Sequence, residues 1–347
     1  MSSTRFAKCL LALTVLLCAG AVPAAVAQEP EGLDDLLLST VRRGYINLGV
    51  LIQGVFEVPA FIRDRGDYAF SIAEARGLLY GRVEGGLSYL VQVRFNGPLS
   101  GVLDASISYD LSDHIGIDVG RFKTPFSTEF LTPASGIDFV NRSQVAAVLS
   151  PRRQNGAQIR LSSDAARTFT LHAGAFNSFL PALFGSGFEH SYVARGTFAP
   201  VRTDGSLVQF AVNGAITRSR VDSLTDPGTT YPAGHLHVIG ADVRVEFDRW
   251  LVTGEFTYGE SEEDGSPHTN PRGLQASLGY LVADNMQVLA RWDGIKLDTE
   301  SQARDLLIAG WNWWPTKVTE IQLNYLYDVH DVGPRRHAVL VNFQFGF

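Results

Sequence analysis

A period-two alternation of apolar and polar residues, sustained over stretches too long for ordinary soluble strands, restricts this chain more than any other feature. From Leu87 to Phe95 the odd positions Leu87, Tyr89, Val91, Val93 and Phe95 are apolar, and the even positions Ser88, Leu90, Gln92 and Arg94 are mostly polar. Val208, Phe210, Val212 and Ile216 alternate with Gln209, Ala211, Asn213 and Thr217. Ile239, Ala241, Val243, Val245 and Phe247 alternate with Gly240, Asp242, Arg244 and Glu246, and Ile321, Leu323, Tyr325 and Tyr327 with Gln322, Asn324, Leu326 and Asp328. Each stretch reads as a strand with one apolar and one polar face. Runs of ~9–12 residues are longer than the ~5–6 of soluble sheets and match strands that cross a bilayer at a tilt.

Connections between these runs alternate in length. Short turns are expected at Glu84-Gly85-Gly86, Leu111-Ser112-Asp113, Thr203-Asp204-Gly205, Asp248-Arg249, Ala283-Asp284-Asn285 and Pro315-Thr316. Longer polar loops are expected at Pro59–Asp67, Thr124–Gln154, Ser178–Glu189, Ser219–Gly234 and Glu260–Pro271. Short turns at one end and long loops at the other are the layout of an outer-membrane barrel. The fold expected is all-β, a transmembrane antiparallel β-barrel of about sixteen strands over residues 44–347. Trp250, Trp311, Trp313, Trp314, Tyr325 and Tyr327 fall near strand ends, where an aromatic interface belt belongs. Val339, Val341, Phe343, Phe345 and Phe347 alternate to the end of the chain, an ending that resembles the signal read by barrel-assembly machinery.

Residues 1–27 read as a signal peptide: Arg5 and Lys8, an apolar run from Leu10 to Leu17, and Ala25-Val26-Ala27 before Gln28. Both cysteines, Cys9 and Cys18, fall inside it, so the remainder has no thiol chemistry or disulfide. Without its two basic residues the formal charge goes from −7 to −9, which argues against a nucleic-acid partner. Residues 28–43 fit no strand and read as a periplasmic segment, with Leu33, Leu36 and Leu37 on one face of a short helix.

One stretch is far more specific. Gly120-Arg121-Phe122-Lys123-Thr124-Pro125-Phe126-Ser127-Thr128-Glu129 is followed by Asp138-Phe139-Val140-Asn141-Arg142-Ser143. Then comes Ser150-Pro151-Arg152-Arg153-Gln154-Asn155-Gly156. This order resembles the phosphate-selective porin O and P family, with its strand exit, its loop element and its P-x-R-x-x-G re-entry. The resemblance implies a sixteen-stranded homotrimeric porin for small anions such as phosphate, exported to the outer membrane of a Gram-negative-type bacterium and bedded in its lipid. It also implies that the third long loop folds inward and that basic residues line the constriction.

The local charge agrees. Between Gly120 and Arg160 lie Arg121, Lys123, Arg142, Arg152, Arg153 and Arg160 against Glu129 and Asp138, a sum of +4 in an acidic chain. A narrow passage with low-dielectric walls lets such a local field outweigh the global one. Arg76, Arg94 and Arg244 fall on polar faces as further lumen candidates, together with Glu74, Asp104, Asp242 and Glu246. Beyond residue 27 there are only the lysines Lys123, Lys296 and Lys317, which weakens the case for phosphate over anions in general. Glu129 and Asp138 are expected to pin the loop by pairing with Arg142 and Arg152. His235-x-His237 lacks a third ligand, and the run Glu260, Glu262, Glu263, Asp264 reads as a solvated loop, so no metal or cofactor is expected. Two alternatives remain: an outer-membrane hydrolase, which would need a His such as His114, His172, His190 or His330 beside a nucleophile, and a non-conducting structural or adhesive barrel.

Overall fold

The computed structural model describes residues 45–347, apart from 60–68, 98–100, 178–189, 204, 220–233, 263–268, 298–302 and 331–336. The expected features at residues 1–43, Asp204, Glu263 and Asp264 lie outside the described residues.

Sixteen antiparallel strands close into a barrel. They are β1 (Asn47–Pro59), β2 (Ala69–Arg82), β3 (Leu87–Arg94), β4 (Gly101–Asp110), β5 (Ile115–Lys123), β6 (Arg153–Ser162), β7 (Phe169–Asn177) and β8 (His190–Thr203). The second half holds β9 (Ser206–Ser219), β10 (Gly234–Phe247), β11 (Trp250–Glu262), β12 (Arg272–Ala283), β13 (Met286–Lys296), β14 (Arg304–Thr316), β15 (Thr319–Asp328) and β16 (His337–Gly346). Every strand pairs with its sequence neighbours, and β1 pairs with β16 from Leu51↔Gly346 to Pro59↔Ala338. Full closure leaves no unpaired edge, the condition for backbone polar groups in a hydrocarbon layer.

Alternation translates directly into the two faces. Ile107, Ile117, Val119, Phe210, Val212, Ile216, Ile239, Phe256 and Leu274 point outward and are exposed. Gln92, Asp104, Asp118, Asn213, Asp242, Gln275, Arg291, Gln322 and Asn342 are buried on the opposite face. An apolar exterior around a polar interior is the inverse of a soluble protein and suits a lipid solvent. At the short-turn end, outward rings meet in pairs: Trp250 with Tyr280 at 4.6 Å, Phe169 with Phe198 at 4.5 Å and Trp311 with Trp313 at 6.2 Å between centroids.

Three expectations are corrected. Trp314 faces inward and lines the lumen cavity, because it is in phase with the inward, buried Asn312 two residues before it. The turn falls at Lys317-Val318 rather than Pro315-Thr316, because β14 slips register against β15 between Trp313 and Thr316 and stays paired to Thr316. A further short turn between β6 and β7 has no glycine to announce it. Pro200 sits where β8 slips register between Phe198 and Val201 against β9, a bulge that tolerates the missing donor.

Phe347 closes the barrel seam beyond the last paired residue of β16. Its N–H donates to Val50 O at 3.1 Å, and its carbonyl accepts from Val50 N–H at 3.0 Å. Its ring meets Phe345 edge-on at 5.7 Å. Deleting Phe347 removes both bonds at the closing seam. The heat-modifiable folded band in outer-membrane fractions is expected to fall, and an unchanged band would show that the seam closes without it.

Candidate functional site: the lumen and the 124–152 connection

The connection between β5 and β6 lacks a ladder, so its backbone groups need other partners. Inward-facing wall side chains supply them in sequence order. Gln53 Nε2 donates to Ala134 O at 3.2 Å, Gln344 Nε2 to Ser135 O at 3.0 Å, Gln322 Nε2 to Ile137 O at 3.0 Å and Asn312 Nδ2 to Asp138 O at 2.8 Å. Val140 N–H donates to Asn324 Oδ1 and Gln144 N–H to Asp293 Oδ2, both at 2.8 Å. Apolar side chains of the same segment fill inward pockets of the wall. Phe126 packs with Phe176, Val193, Leu236 and Val238, Phe139 with Leu251, Leu289, Leu306 and Ile308, and Val145 and Leu149 with Ile295. The segment is thereby fastened along β1 and β7–β16.

Its neck is tight. Thr124 donates to Arg152 O from both its N–H (3.0 Å) and its hydroxyl (2.8 Å). Ser127, at φ 59°, donates to Glu255 Oε2 at 2.7 Å and accepts from Phe130 N–H, capping the short helix α1 (Thr128–Leu131). Gly120, at φ 125°, passes so close to β4 that a Cβ there would lie 2.2 Å from Ala105 O, so only glycine fits.

Glu129 and Asp138 do pair with arginines, but with wall residues and not with Arg142 or Arg152. Arg291 reaches Glu129 Oε1 at 2.9 Å, and Arg244 grips Asp138 at 2.8 and 3.2 Å. Arg244 also bonds Glu246. Arg142 instead donates to the carbonyls of Glu129 and Thr132. Arg152, at φ 57°, reaches Ala147 O at 3.4 Å. A third wall arginine, Arg195, holds Asp242 in a fork at 2.7 and 3.0 Å and reaches Thr128 Oγ1. Neither Arg195 nor Arg291 stood out in the sequence, although both occupy inward positions of alternating strands.

The opposite wall carries the remaining basic residues. Arg76 and Arg94 both bond Glu74, Arg153 grips Asp104 at 2.9 and 3.1 Å, and Arg160 bridges Asp118 and Asp110. Lys123 spends its three donors on the carbonyls of Phe130, Leu131 and Thr132 at 2.6, 3.2 and 2.8 Å, which closes the C-terminal end of α1. Arg121 is half-buried and makes no side-chain hydrogen bond or ion pair among the described residues. His237 is exposed on the outer face, whereas the side chain of His235 lies outside the described residues.

Between this wall and the loop lies a cavity of about 740 Å³. Its charged lining is Arg76, Lys123, Arg153, Arg160 and Lys317 against Asp104, Asp118 and Glu320. The model of the phosphate-selective porin O and P family matches residues 46–226, from the start of β1 past the end of β9. The chain belongs to that family. Its fold is shared with solved porins of low sequence identity. An anion-selective porin from Comamonas acidovorans is 12% identical, with 87% of this chain and 99% of that chain covered and a TM-score of 0.62. Pseudomonas putida OprB is 11% identical, covering 90% and 97%, with a TM-score of 0.58. The trimer form of OmpT from Vibrio cholerae is 12% identical, covering 87% and 99%, also at 0.58. No curated protein matches this porin in sequence. Family and fold together make it an outer-membrane porin.

Proposed function

We propose that this porin passes small anions, phosphate among them, between the 124–152 connection and the β2–β6 wall. The observation that carries the reading is the charge of the cavity lining: five basic against three acidic side chains, +2, in a chain of net charge −7. Of the basic residues expected at the constriction, Lys123, Arg153 and Arg160 line this cavity, as does Arg76. Arg142 is bonded to carbonyls rather than carboxylates, so its charge adds to the local field without a paired anion. Arg121, Arg152, Arg94 and Arg244 act at one remove, through the same field or by holding the loop. A homotrimer fits the family and the trimeric OmpT relative. Export by residues 1–27, recognition of Phe343, Phe345 and Phe347 by assembly machinery, and short turns facing the periplasm complete the picture.

Phosphate added to a chloride-conducting channel in a planar bilayer is expected to lower the chloride current in a saturable way, because both anions compete for one basic passage. A current unaffected by phosphate would remove phosphate from the solutes and leave a general anion path.

A further inference from the structure

The lining of the same cavity has a second property. Barrel lumens of this class are polar. Here three leucines on neighbouring strands, Leu51 of β1, Leu78 of β2 and Leu90 of β3, border the open space. Leu51 pairs across with Arg76, Leu78 with Gln92 and Leu90 with Ser106, so the three leucines lie on diagonals of one surface. None of them belongs to the three buried apolar clusters among the described residues. Leu131 and Pro133 of the loop line the same cavity. Apolar walls give no return to a small hydrated ion, but they do to a solute with apolar surface of its own.

Basic donors adjoin this patch. Asp104 takes Nε and Nη2 of Arg153, and Asp118 and Asp110 take Nε and Nη2 of Arg160. The Nη1 of each guanidinium has no hydrogen-bond partner among the described residues and is not buried. The paired carboxylates hold the guanidinium planes still, leaving one charge-assisted donor on each for an entering anion. Resting on the anion-path reading above, we propose that the cavity is a binding site for organic monocarboxylates with an apolar body: the carboxylate on the Arg153 and Arg160 edge, the body against Leu51, Leu78 and Leu90. Its volume of about 740 Å³ is in the range of small-molecule sites, ample for one aromatic carboxylate with water.

The test uses the full reconstituted channel and reads the block of chloride current by two organic anions of equal charge, benzoate and gluconate. Benzoate is expected to block at lower concentration than gluconate, because only benzoate covers the leucines. Leu78→Asn with Leu90→Asn is expected to raise the half-blocking benzoate concentration about tenfold while leaving the gluconate value as the internal reference. Leu90→Ala alone is expected to shift benzoate in the same direction, which keeps the test usable if the double variant does not fold. Equal block by both anions in a channel that prefers anions would overturn this inference alone. A zero-current potential of cationic sign would instead overturn the anion-path reading on which it stands.

Discussion

Replacing Arg153 and Arg160 together with glutamine is expected to move the zero-current potential toward cation preference, with roughly a tenfold change in the anion-to-cation permeability ratio. Both residues line the cavity, and their loss takes its lining from +2 to neutral. The change is larger than the sum implies. Asp104, gripped by Arg153, and Asp118, paired with Arg160, would then face the path unpaired. A full charge at such close range, in an effective dielectric well below that of water, is worth about 1 kcal/mol or more to a passing ion. Glutamine is shorter than arginine but remains polar, and the backbone ladder of β6 to β5 and β7 is untouched. If the potential stays put while conductance and folding are intact, selectivity is set at the loop neck by Lys123 and Arg142.

Replacing Arg291 with alanine is expected to loosen the loop rather than unfold the barrel. Its side chain is 1% exposed and bonds Glu129, Ser277 Oγ and Asn141 O, while its guanidinium lies 4.0 Å over the Phe139 ring. Removing it takes the cation from the Glu129 carboxylate, which keeps only the N–H and hydroxyl of Ser143, a loss of order 3–5 kcal/mol for a buried pair. That cost falls on the attachment of residues 127–144, since β13 keeps its backbone ladder to β12 and β14. Single-channel recordings should show higher conductance and more open-channel noise, with the heat-modifiable band retained. Glu129→Gln in the same background removes the stranded charge and should restore part of the quiet state. Arg291→Lys should restore less than full function, because an ammonium cannot serve Glu129, Ser277 and Asn141 as one planar fork. A quiet channel of normal conductance in Arg291→Ala would mean that the amide and apolar contacts alone hold the loop.

Much of the barrel was legible because its physics is local. A strand from Leu87 to Arg94 with Leu87, Tyr89, Val91 and Val93 outward and, Leu90 apart, polar residues inward can be read from eight letters, and so can the alternation ending in Phe343, Phe345 and Phe347. Turns carrying Gly or Asn–Asp were equally legible. The slip at Trp313–Thr316 was not, because two adjacent tryptophans followed by a proline carry no phase. The loop pins show the other limit. Charge balance within residues 120–160 suggested that Glu129 and Asp138 pair inside the loop, since those arginines are close in sequence. Their partners, Arg291 and Arg244, are more than a hundred residues away and are brought near only by barrel closure. Arg195 and Arg291 did carry a signal, an arginine on the inward phase of an alternating strand. What that signal lacked was the partner, which three-dimensional closure alone supplies. Leu90 was legible as the apolar residue on the polar phase of its strand, whereas Leu51 and Leu78 were not: where apolar residues fill both phases, a leucine does not announce which side it takes.

The zero-current potential of the unaltered channel in a potassium chloride gradient tests the central claim most directly. It reads the sign of the field that a permeating ion meets, without dependence on any variant or solute. The lining of Arg76, Lys123, Arg153, Arg160 and Lys317 against Asp104, Asp118 and Glu320 predicts a potential displaced toward the chloride equilibrium value. A potential at zero, or displaced toward potassium, would contradict the account: the carboxylates paired with these cations would then dominate the path, and the basic wall would be scaffolding alone.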